Sequence, residues 1–194
     1  MIKDLVEKNR TCRRFYQDRK VHLETLKDLV DLARLSASAA NLQPLRYILA
    51  CDTQVNQQIF ACLGWAGYLK DWPGPEEGER PAAYIIILSD TAQANNYVGY
   101  DCGIACQSIL LGAREQGLAG CMFGAIQRRK LRDILQIDTQ FKILLVVAIG
   151  EPKETVVIET VGHDDNIRYW RDDGGVHHVP KRSLDNIIVG IYSI

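Results

Sequence analysis

The stretch Ala82-Ala83-Tyr84-Ile85-Ile86-Ile87-Leu88 decides the fold class, because it is a continuous apolar run without alternation. Such a run is typical of a central strand that other elements cover on both faces. The residues just before it, 71–81, contain several prolines and glycines together with glutamates. We therefore predict a surface loop there, which is also the candidate for a mobile lid.

Other strands are predicted on both sides of this run, at 46–51, 120–126 and 143–149, the second of them a short strand or turn. Apolar spacing and segment length also predict helices, which cover 2–9, 22–35, 54–69, 95–116 and 128–135. A tail follows the last strand. No repeat or linker interrupts this order, so the chain is predicted to form one layered domain of helices and strands over 1–194.

The composition limits the classes of function. The 194-residue chain has a net charge of −1, with 47% hydrophobic and 24% charged residues, and so lacks the broad basic field that holds a nucleic-acid backbone. No run reaches the roughly 18 apolar residues that span a bilayer, and the charged N-terminus is unlike a signal peptide. We expect a cytoplasmic protein that binds neither nucleic acid nor membrane, with reduced and mostly buried cysteines.

Several common sites leave no motif in this sequence. There is no GxGxxG loop, Walker loop or GxSxG elbow. The pair Cys102 and Cys106 could share a helix face, but two more ligands for a metal are not signalled. His163-Asp164-Asp165 and His177-His178 are interpreted as parts of solvated loops. We therefore predict no metal site.

Three separated segments carry groups that could bind a phosphate. They are the basic run at 10–14, the small-residue turn at 38–41 and the basic pair at 181–182. Arginine forks match phosphate oxygens, and such charge-assisted bonds contribute roughly 1.5–3 kcal/mol each. A basic run alone is more often a solvated face than a binding site. The order and spacing of the three segments make a shared binding site the stronger interpretation.

In that order the chain resembles the nitroreductase family of flavoproteins, over nearly its whole length. Five motifs carry the resemblance: Asn9-Arg10-Thr11-Cys12-Arg13-Arg14-Phe15, Ser38-Ala39-Ala40-Asn41-Leu42-Gln43-Pro44, Gly117-Leu118-Ala119-Gly120-Cys121-Met122-Phe123-Gly124, Ala148-Ile149-Gly150-Glu151-Pro152 and Pro180-Lys181-Arg182. The resemblance implies an α+β fold of three layers, α/β/α, with a central mixed, mainly antiparallel sheet flanked by helices. It also implies an intertwined homodimer, in which the C-terminal segment, about 160–194, reaches the partner subunit.

The resemblance further implies FMN bound at the dimer interface, NAD(P)H as the transient electron donor and a small electrophilic molecule as the substrate. By position, Arg10 and Thr11 would face the FMN phosphate, and Lys181 and Arg182 would complete that site. Arg13 would lie near the pyrimidine edge of the flavin. A fixed cation there stabilises the negative charge of reduced flavin and raises its reduction potential.

The remaining cofactor contacts implied by the family are largely made by backbone. Ser38, Ala39 and Asn41 would touch the cofactor in the small-residue turn, and Phe123 and Gly124 would present backbone N–H groups near the flavin N5. No side-chain acid or base is required, because the cofactor performs the redox step. We therefore name no catalytic residue.

Two positions depart from the family pattern. Asn9 stands where arginine is common, which removes one phosphate charge, and Leu45 stands where tryptophan is frequent. Arg46 could compensate electrostatically. The variable segment 62–81 is expected to shape the substrate pocket, with Lys70 either near the flavin or exposed, and its aromatic residues either stacking on a substrate or packing in the core.

The sequence also favours a dimer through two features. The helix at 95–116 has small residues every three to four positions, which would let a partner pack closely. The apolar stretch 187–191 lacks an evident place in a compact monomer, although packing within its own chain is the alternative.

Three functions remain open from the sequence. The first is an FMN-dependent oxidoreductase that reduces nitro, quinone or similar compounds or dehydrogenates a substrate. The second is a flavin-binding protein without turnover, for storage or redox sensing. The third is an interaction protein that has lost the cofactor, which the loss of charge at Asn9 motivates.

Overall fold

The computed structural model describes residues 1–93, 95–162 and 165–193. Its helices are α1 (Ile2–Lys8), α2 (Leu23–Leu35), α3 (Thr53–Phe60), α4 (Val98–Glu115), α5 (Arg128–Leu135) and α6 (Leu184–Ile187), with a 3-10 turn at Ala39–Asn41. Its strands are β1 (Leu45–Ala50), β2 (Ala83–Asp90), β3 (Ala119–Phe123), β4 (Phe141–Gly150), β5 (Val156–Val161), β6 (Trp170–Arg171) and β7 (His177–Arg182).

The main sheet has the strand order β1-β2-β4-β3, and each of its pairings is antiparallel. The predicted central strand is confirmed, since Tyr84–Ile87 are fully buried within β2. Because side chains alternate along a strand, Ile85 and Ile87 pack on one face, against α2 and α4. Tyr84 and Ile86 pack on the other face, against α3 and α5. The three-layer α+β architecture is thus confirmed.

A second, smaller sheet covers one end of the molecule. In it β5 pairs with β7 in parallel and β7 pairs with β6 antiparallel. The N-terminal segment runs between the two sheets: Thr11 forms a bridge with Gly120 on the main sheet, and the Lys153 N–H, just before β5, donates to Arg14 O at 2.9 Å. This placement brings the basic N-terminal residues next to the C-terminal strands.

The predicted helix at 54–69 is wrong beyond its first half, because α3 ends at Phe60. The chain then pairs with the β3–α5 connection instead of continuing as a helix. Leu63 forms a bridge with Ile126, and the Gly64 N–H donates to Ala125 O at 2.9 Å. This tertiary pairing satisfies backbone groups that a helix would otherwise use, and it has no local sequence signal.

The C-terminal segment is partly ordered against its own chain, since β6 and β7 belong to the small sheet. Beyond α6, the side chains of Val189, Ile191 and Tyr192 are exposed. That the C-terminal segment, about 160–194, reaches a partner subunit stays a prediction. No helix within the described residues is long and apolar enough to cross a bilayer.

Candidate functional site

Arg10 lies at the wall of a cavity of about 590 Å³ between α1, α4 and β5. Its Nη2 donates to Val6 O at 2.6 Å, which holds the side chain against the end of α1. Its Nε is buried and has no hydrogen-bond partner among the described residues. Burial also lowers the pKa of the Arg10 guanidinium. A buried donor without a partner is costly, so the Arg10 Nε is a group that an anion in this cavity could satisfy.

Lys181 and Arg182 lie on opposite faces of the small sheet. Thr160 pairs with Lys181 in the parallel ladder, two residues beyond the pairing of Ile158 with Val179. Because alternate residues of a strand share a face, Lys181 projects on the same side as Ile158, which lines the Arg10 cavity. Arg182 belongs to the other face. The structure therefore places Lys181 on the side of Arg10 and does not place Arg182 there.

The turn before β1 is held in a strained backbone conformation. Ala40, Asn41 and Gln43 have φ angles of 48°, 54° and 48°, in the left-handed region that L residues rarely adopt. The buried Asp101 carboxylate of α4 accepts hydrogen bonds from Ser38 Oγ at 2.8 Å and from the Ala39 N–H at 2.9 Å. Asp101 therefore fixes the turn, and the Asn41 side chain is left exposed.

The turn faces a different cavity from the one beside Arg10. This second cavity, of about 190 Å³, is lined by Ser38, Asp101 and Tyr47 among others and shares no lining residue with the first. Arg46 lines it too, but its Nη1 is engaged by Gln43 O at 2.9 Å. Within one chain, the structure thus keeps the N-terminal and small-residue parts of the predicted cofactor site apart.

Phe123 and Gly124 stand at the end of β3, next to the start of the 62–81 segment. The Phe123 ring is buried and meets the Trp65 indole edge to face, with 4.6 Å between centroids. Trp65 is therefore a packing residue. Gly124 is exposed, so the backbone there is open to a ligand. Lys70 is exposed and lines a surface groove farther along the segment.

Arg13 is buried in a set of contacts that the sequence did not reveal. Its Nη1 lies 3.1 Å from His177 Nε2, and its guanidinium carbon lies 4.6 Å from the centre of the Tyr169 ring. Its backbone N–H donates to Glu154, whose carboxylate also accepts from Arg171 at 3.0 Å. The residues that were missed, Glu154, Tyr169 and His177, follow no spacing rule, because they come from turns and strands at least 141 residues from Arg13.

The second histidine of the pair points away from Arg13. His178 Nδ1 lies 2.6 Å from Glu159, its Nε2 lies 3.2 Å from Asp172, and its ring stacks on Trp170 at 4.0 Å. These two carboxylates raise the pKa of His178 against the opposing effect of burial. The interaction links β5, β6 and β7. No cluster of His, Cys, Asp and Glu within the described residues could hold a metal, and His163 and Asp164 lie outside those residues.

Arg10 in the first cavity fits the phosphate of FMN, and Lys181 lies on the same face of the small sheet as Ile158, which lines that cavity. Arg10 offers a buried Nε that no group in the described part of the chain accepts from, and Lys181 adds a second cation on the same side. Two carboxylates, Glu7 and Glu154, also line the cavity. Glu154 is satisfied by Arg13 and Arg171, so it leaves the Arg10 Nε available.

Comparison with known proteins gives a family and a fold. The family model described as the nitroreductase family matches residues 6–151. An iodotyrosine deiodinase from Haliscomenobacter hydrossis is 24% identical, with 82% of this chain and 83% of that protein covered. An oxygen-insensitive NADPH nitroreductase from Helicobacter acinonychis is 22% identical, with 77% and 86% covered. The solved structure of an FMN-dependent nitroreductase from Clostridium difficile R20291 shares the fold, with a TM-score of 0.65 at 22% identity, covering 79% of this chain and 88% of that one.

Proposed function

Because the chain belongs to the nitroreductase family, we propose that it is an FMN-dependent oxidoreductase that passes electrons from NAD(P)H to small electrophilic molecules. The observation that carries the proposal is the cavity beside Arg10, where a buried guanidinium donor has no partner among the residues that the structure describes and Lys181 projects on the same side. When bound, FMN supplies the electron and hydride chemistry, which protein side chains cannot perform.

The binding role of the chain follows from its charges. Arg10 and Lys181 would hold the phosphate through charge-assisted hydrogen bonds, each contributing roughly 1.5–3 kcal/mol. Thr11, between Arg10 and the main sheet, adds a hydroxyl on the same segment. Arg13 supplies a fixed cation deeper in the protein for the pyrimidine end of the ring system. Arg182 is not assigned to the phosphate, because it lies on the opposite face of β7.

A second copy of the chain is proposed to complete the site. The Asp101-anchored turn lies at a cavity separate from that of Arg10, so one chain supplies the two parts at different places. Helix α4 runs from one part to the other, since Asp101 lines the second cavity and Arg114 lines the first. Tyr100 and Ile104 on this helix, and Tyr97 just before it, are exposed. A homodimer formed through α4 would bury these side chains and place the turn of one subunit against the N-terminal segment of the other. The exposed tail after 187 would pack across the same interface.

The substrate is proposed to enter beside Gly124, under the segment 62–81. The pairing of Leu63 with Ile126 fixes the start of this segment next to Gly124, and Tyr68 is 55% exposed near its middle. The names of the relatives include both nitroreductases and deiodinases. We therefore propose the class of acceptor, a nitro, quinone or similar electrophilic compound, and leave open which member of the class is used.

The cytoplasm is the proposed site of action. All six cysteines are free, and five of them are buried. Burial raises the pKa of Cys12 and of Cys121 to about 12, which keeps these thiols protonated and unreactive. A reducing compartment that also contains NAD(P)H suits such a chain.

Flavin discrimination tests this proposal. We expect the purified protein to bind FMN more tightly than riboflavin, because only FMN carries the phosphate. Arg10→Ala should lower FMN affinity at least tenfold and leave riboflavin affinity unchanged, whereas Arg129→Ala, an exposed control on α5, should change neither. NADH or NADPH should bleach the bound flavin, and a quinone should restore its colour. Absence of flavin binding would overturn the proposal, and binding without bleaching would favour the storage or sensing alternative.

A further inference from the structure

The Arg13 guanidinium is held by two uncharged aromatic groups. His177 Nε2 lies 3.1 Å from its Nη1, and the Tyr169 ring lies against its face at 4.6 Å. In the part of the chain that the structure describes, no carboxylate forms an ion pair with this guanidinium. A buried arginine usually has an anionic partner. The contacts of Arg13 therefore fix its position without neutralising its charge.

The nearest carboxylate is committed to other groups. Glu154 accepts the backbone N–H of Arg13 and the Nη2 of Arg171, and its side chain is only 1% exposed. It thereby neutralises Arg171 and fixes the main chain at Arg13. Glu154 therefore forms no hydrogen bond with the Arg13 guanidinium in the described structure.

The hydrogen bond to His177 defines the state of the imidazole. Arginine can only donate, so Nε2 of His177 must accept and cannot carry a proton. The neutral imidazole then carries its proton on Nδ1. Burial, together with the charges of Arg13 and Arg171, lowers the pKa of His177 to about 4, which agrees with a neutral ring. The neighbouring His178 also lowers the pKa of His177. A protonated ring would instead place two cations in contact.

We propose that His177 is a positioning residue for Arg13. His177 orients the Arg13 guanidinium toward the pyrimidine end of FMN and, being neutral, does not neutralise its positive charge. This inference rests on the proposed function, since it concerns how the flavin is tuned. An uncompensated cation in a low-dielectric site stabilises the anionic reduced flavin more than it stabilises the neutral oxidised form. His177 thus acts on the flavin through Arg13 and without touching it.

Three substitutions separate the orienting role from the charge role. His177→Gln keeps a hydrogen-bond acceptor for Arg13 and should leave the reduction potential of bound FMN close to that of the parent. His177→Glu places a carboxylate against Arg13 and should weaken the preference for reduced over oxidised FMN at least tenfold, about 30 mV for a two-electron couple. His177→Leu removes the acceptor without adding charge, and it should weaken the preference for reduced over oxidised FMN by less than His177→Glu does.

His178→Gln is the matched control. His178 lies next to His177 on β7, but it faces Glu159 and Asp172 on the other side of the sheet. Replacing His178 should therefore not change the reduction potential of bound FMN. If His177→Glu does not fold, His177→Leu still tests the orienting role. The proposal would be overturned if the reduction potential of bound FMN equals the parent value both in His177→Leu and in any folded His177→Glu.

A measurement without flavin makes the failure of this inference distinguishable from that of the proposed function. Nitrogen-15 NMR of the flavin-free chain at pH 7 should show His177 neutral with its proton on Nδ1. A ring protonated on Nε2 would overturn the positioning role, whether or not the chain binds FMN. A chain that shows the expected tautomer and refuses FMN would instead overturn the proposed function and, with it, the tuning of a flavin by His177.

Discussion

Asp101, buried in the first turns of α4, accepts a hydrogen bond from Ser38 Oγ at 2.8 Å. The two residues are 63 positions apart in sequence, and their contact holds the turn whose φ angles are positive at Ala40, Asn41 and Gln43. Such backbone conformations cost about 1–3 kcal/mol each and persist only when surrounding contacts fix them. The Asp101 carboxylate is one of those contacts, which makes α4 the support of the turn.

Replacing Asp101 by alanine should loosen this turn. We expect the free energy of unfolding to fall by about 1–3 kcal/mol, because the Ser38 hydroxyl and the Ala39 N–H lose their acceptor. FMN affinity should fall as well if the turn contributes to the site of a partner subunit. Urea titration and flavin fluorescence measure the two effects. Asp31→Ala is the control, since Asp31 forms an exposed pair with Arg34 on α2. Unchanged stability of Asp101→Ala would contradict the assignment.

Gly103 tests the proposed dimer. On α4, a Cβ at this position meets no atom of the described residues within 4 Å in a single chain, so a monomer would tolerate a larger side chain. In a dimer packed through α4 it would collide with the partner helix. Gly103→Leu should raise the dimer dissociation constant at least tenfold in sedimentation velocity, whereas Gly67→Leu, at an open position outside α4, should not. A parent protein that sediments as a monomer would rule out the proposed assembly.

The layers of the fold could be predicted because they follow from local patterns. The apolar run around Ile86 predicts a strand buried on both faces, and the segment at 128–135 predicts α5 with the bounds that the structure gives. The end of α3 could not be predicted, since it depends on the pairing of Leu63 with Ile126 across the fold.

The candidate site could be predicted only in part, for a related reason. A basic motif identifies Arg10, but the face on which Lys181 lies depends on the register of β5 and β7. The partner of Arg13 is 164 residues away, at His177. The sequence pair His177-His178 carries no sign that one ring would face Arg13 and the other Glu159. Motifs therefore name the ligand-facing residues, whereas tertiary contacts determine how these residues are held.

Gly120 should be intolerant of any side chain. A Cβ there would lie 2.5 Å from Ala148 O and 2.6 Å from Leu110 Cδ2, and the first of these is rigid backbone within the main sheet. Gly120→Ala is expected to lower the free energy of unfolding by about 1–3 kcal/mol through overpacking. At Gly124 the nearest atom to an added Cβ is 3.9 Å away, so Gly124→Ala should change stability by no more than about 0.5 kcal/mol. Thermal or urea unfolding would show the difference, and equal stabilities would contradict the close approach of β3 to β4.

Glu79 should make the stability of the protein depend on acid pH. Its Oε1 accepts from Arg14 Nη2 at 2.7 Å and lies 3.0 Å from Lys153 Nζ. The Arg14 guanidinium first, and Lys153 after it, lower the pKa of Glu79 from 4.5 to about 2. A carboxyl whose pKa is lower in the folded state binds fewer protons than in the unfolded chain. Its contribution to stability is therefore complete above about pH 5, and it is lost as the pH falls toward 2.

Glu79→Gln should remove that dependence. The variant is expected to be less stable than the parent by about 1–3 kcal/mol at pH 7, and the two proteins should converge as the pH falls from about 5 to 2. Urea denaturation at a series of pH values measures the convergence. Glu77→Gln provides the control, because Glu77 is exposed in the same segment, and its curve should run parallel to that of the parent. A constant gap between Glu79→Gln and the parent across this range would show that the ion pairs with Arg14 and Lys153 do not hold the end of the 62–81 segment in solution.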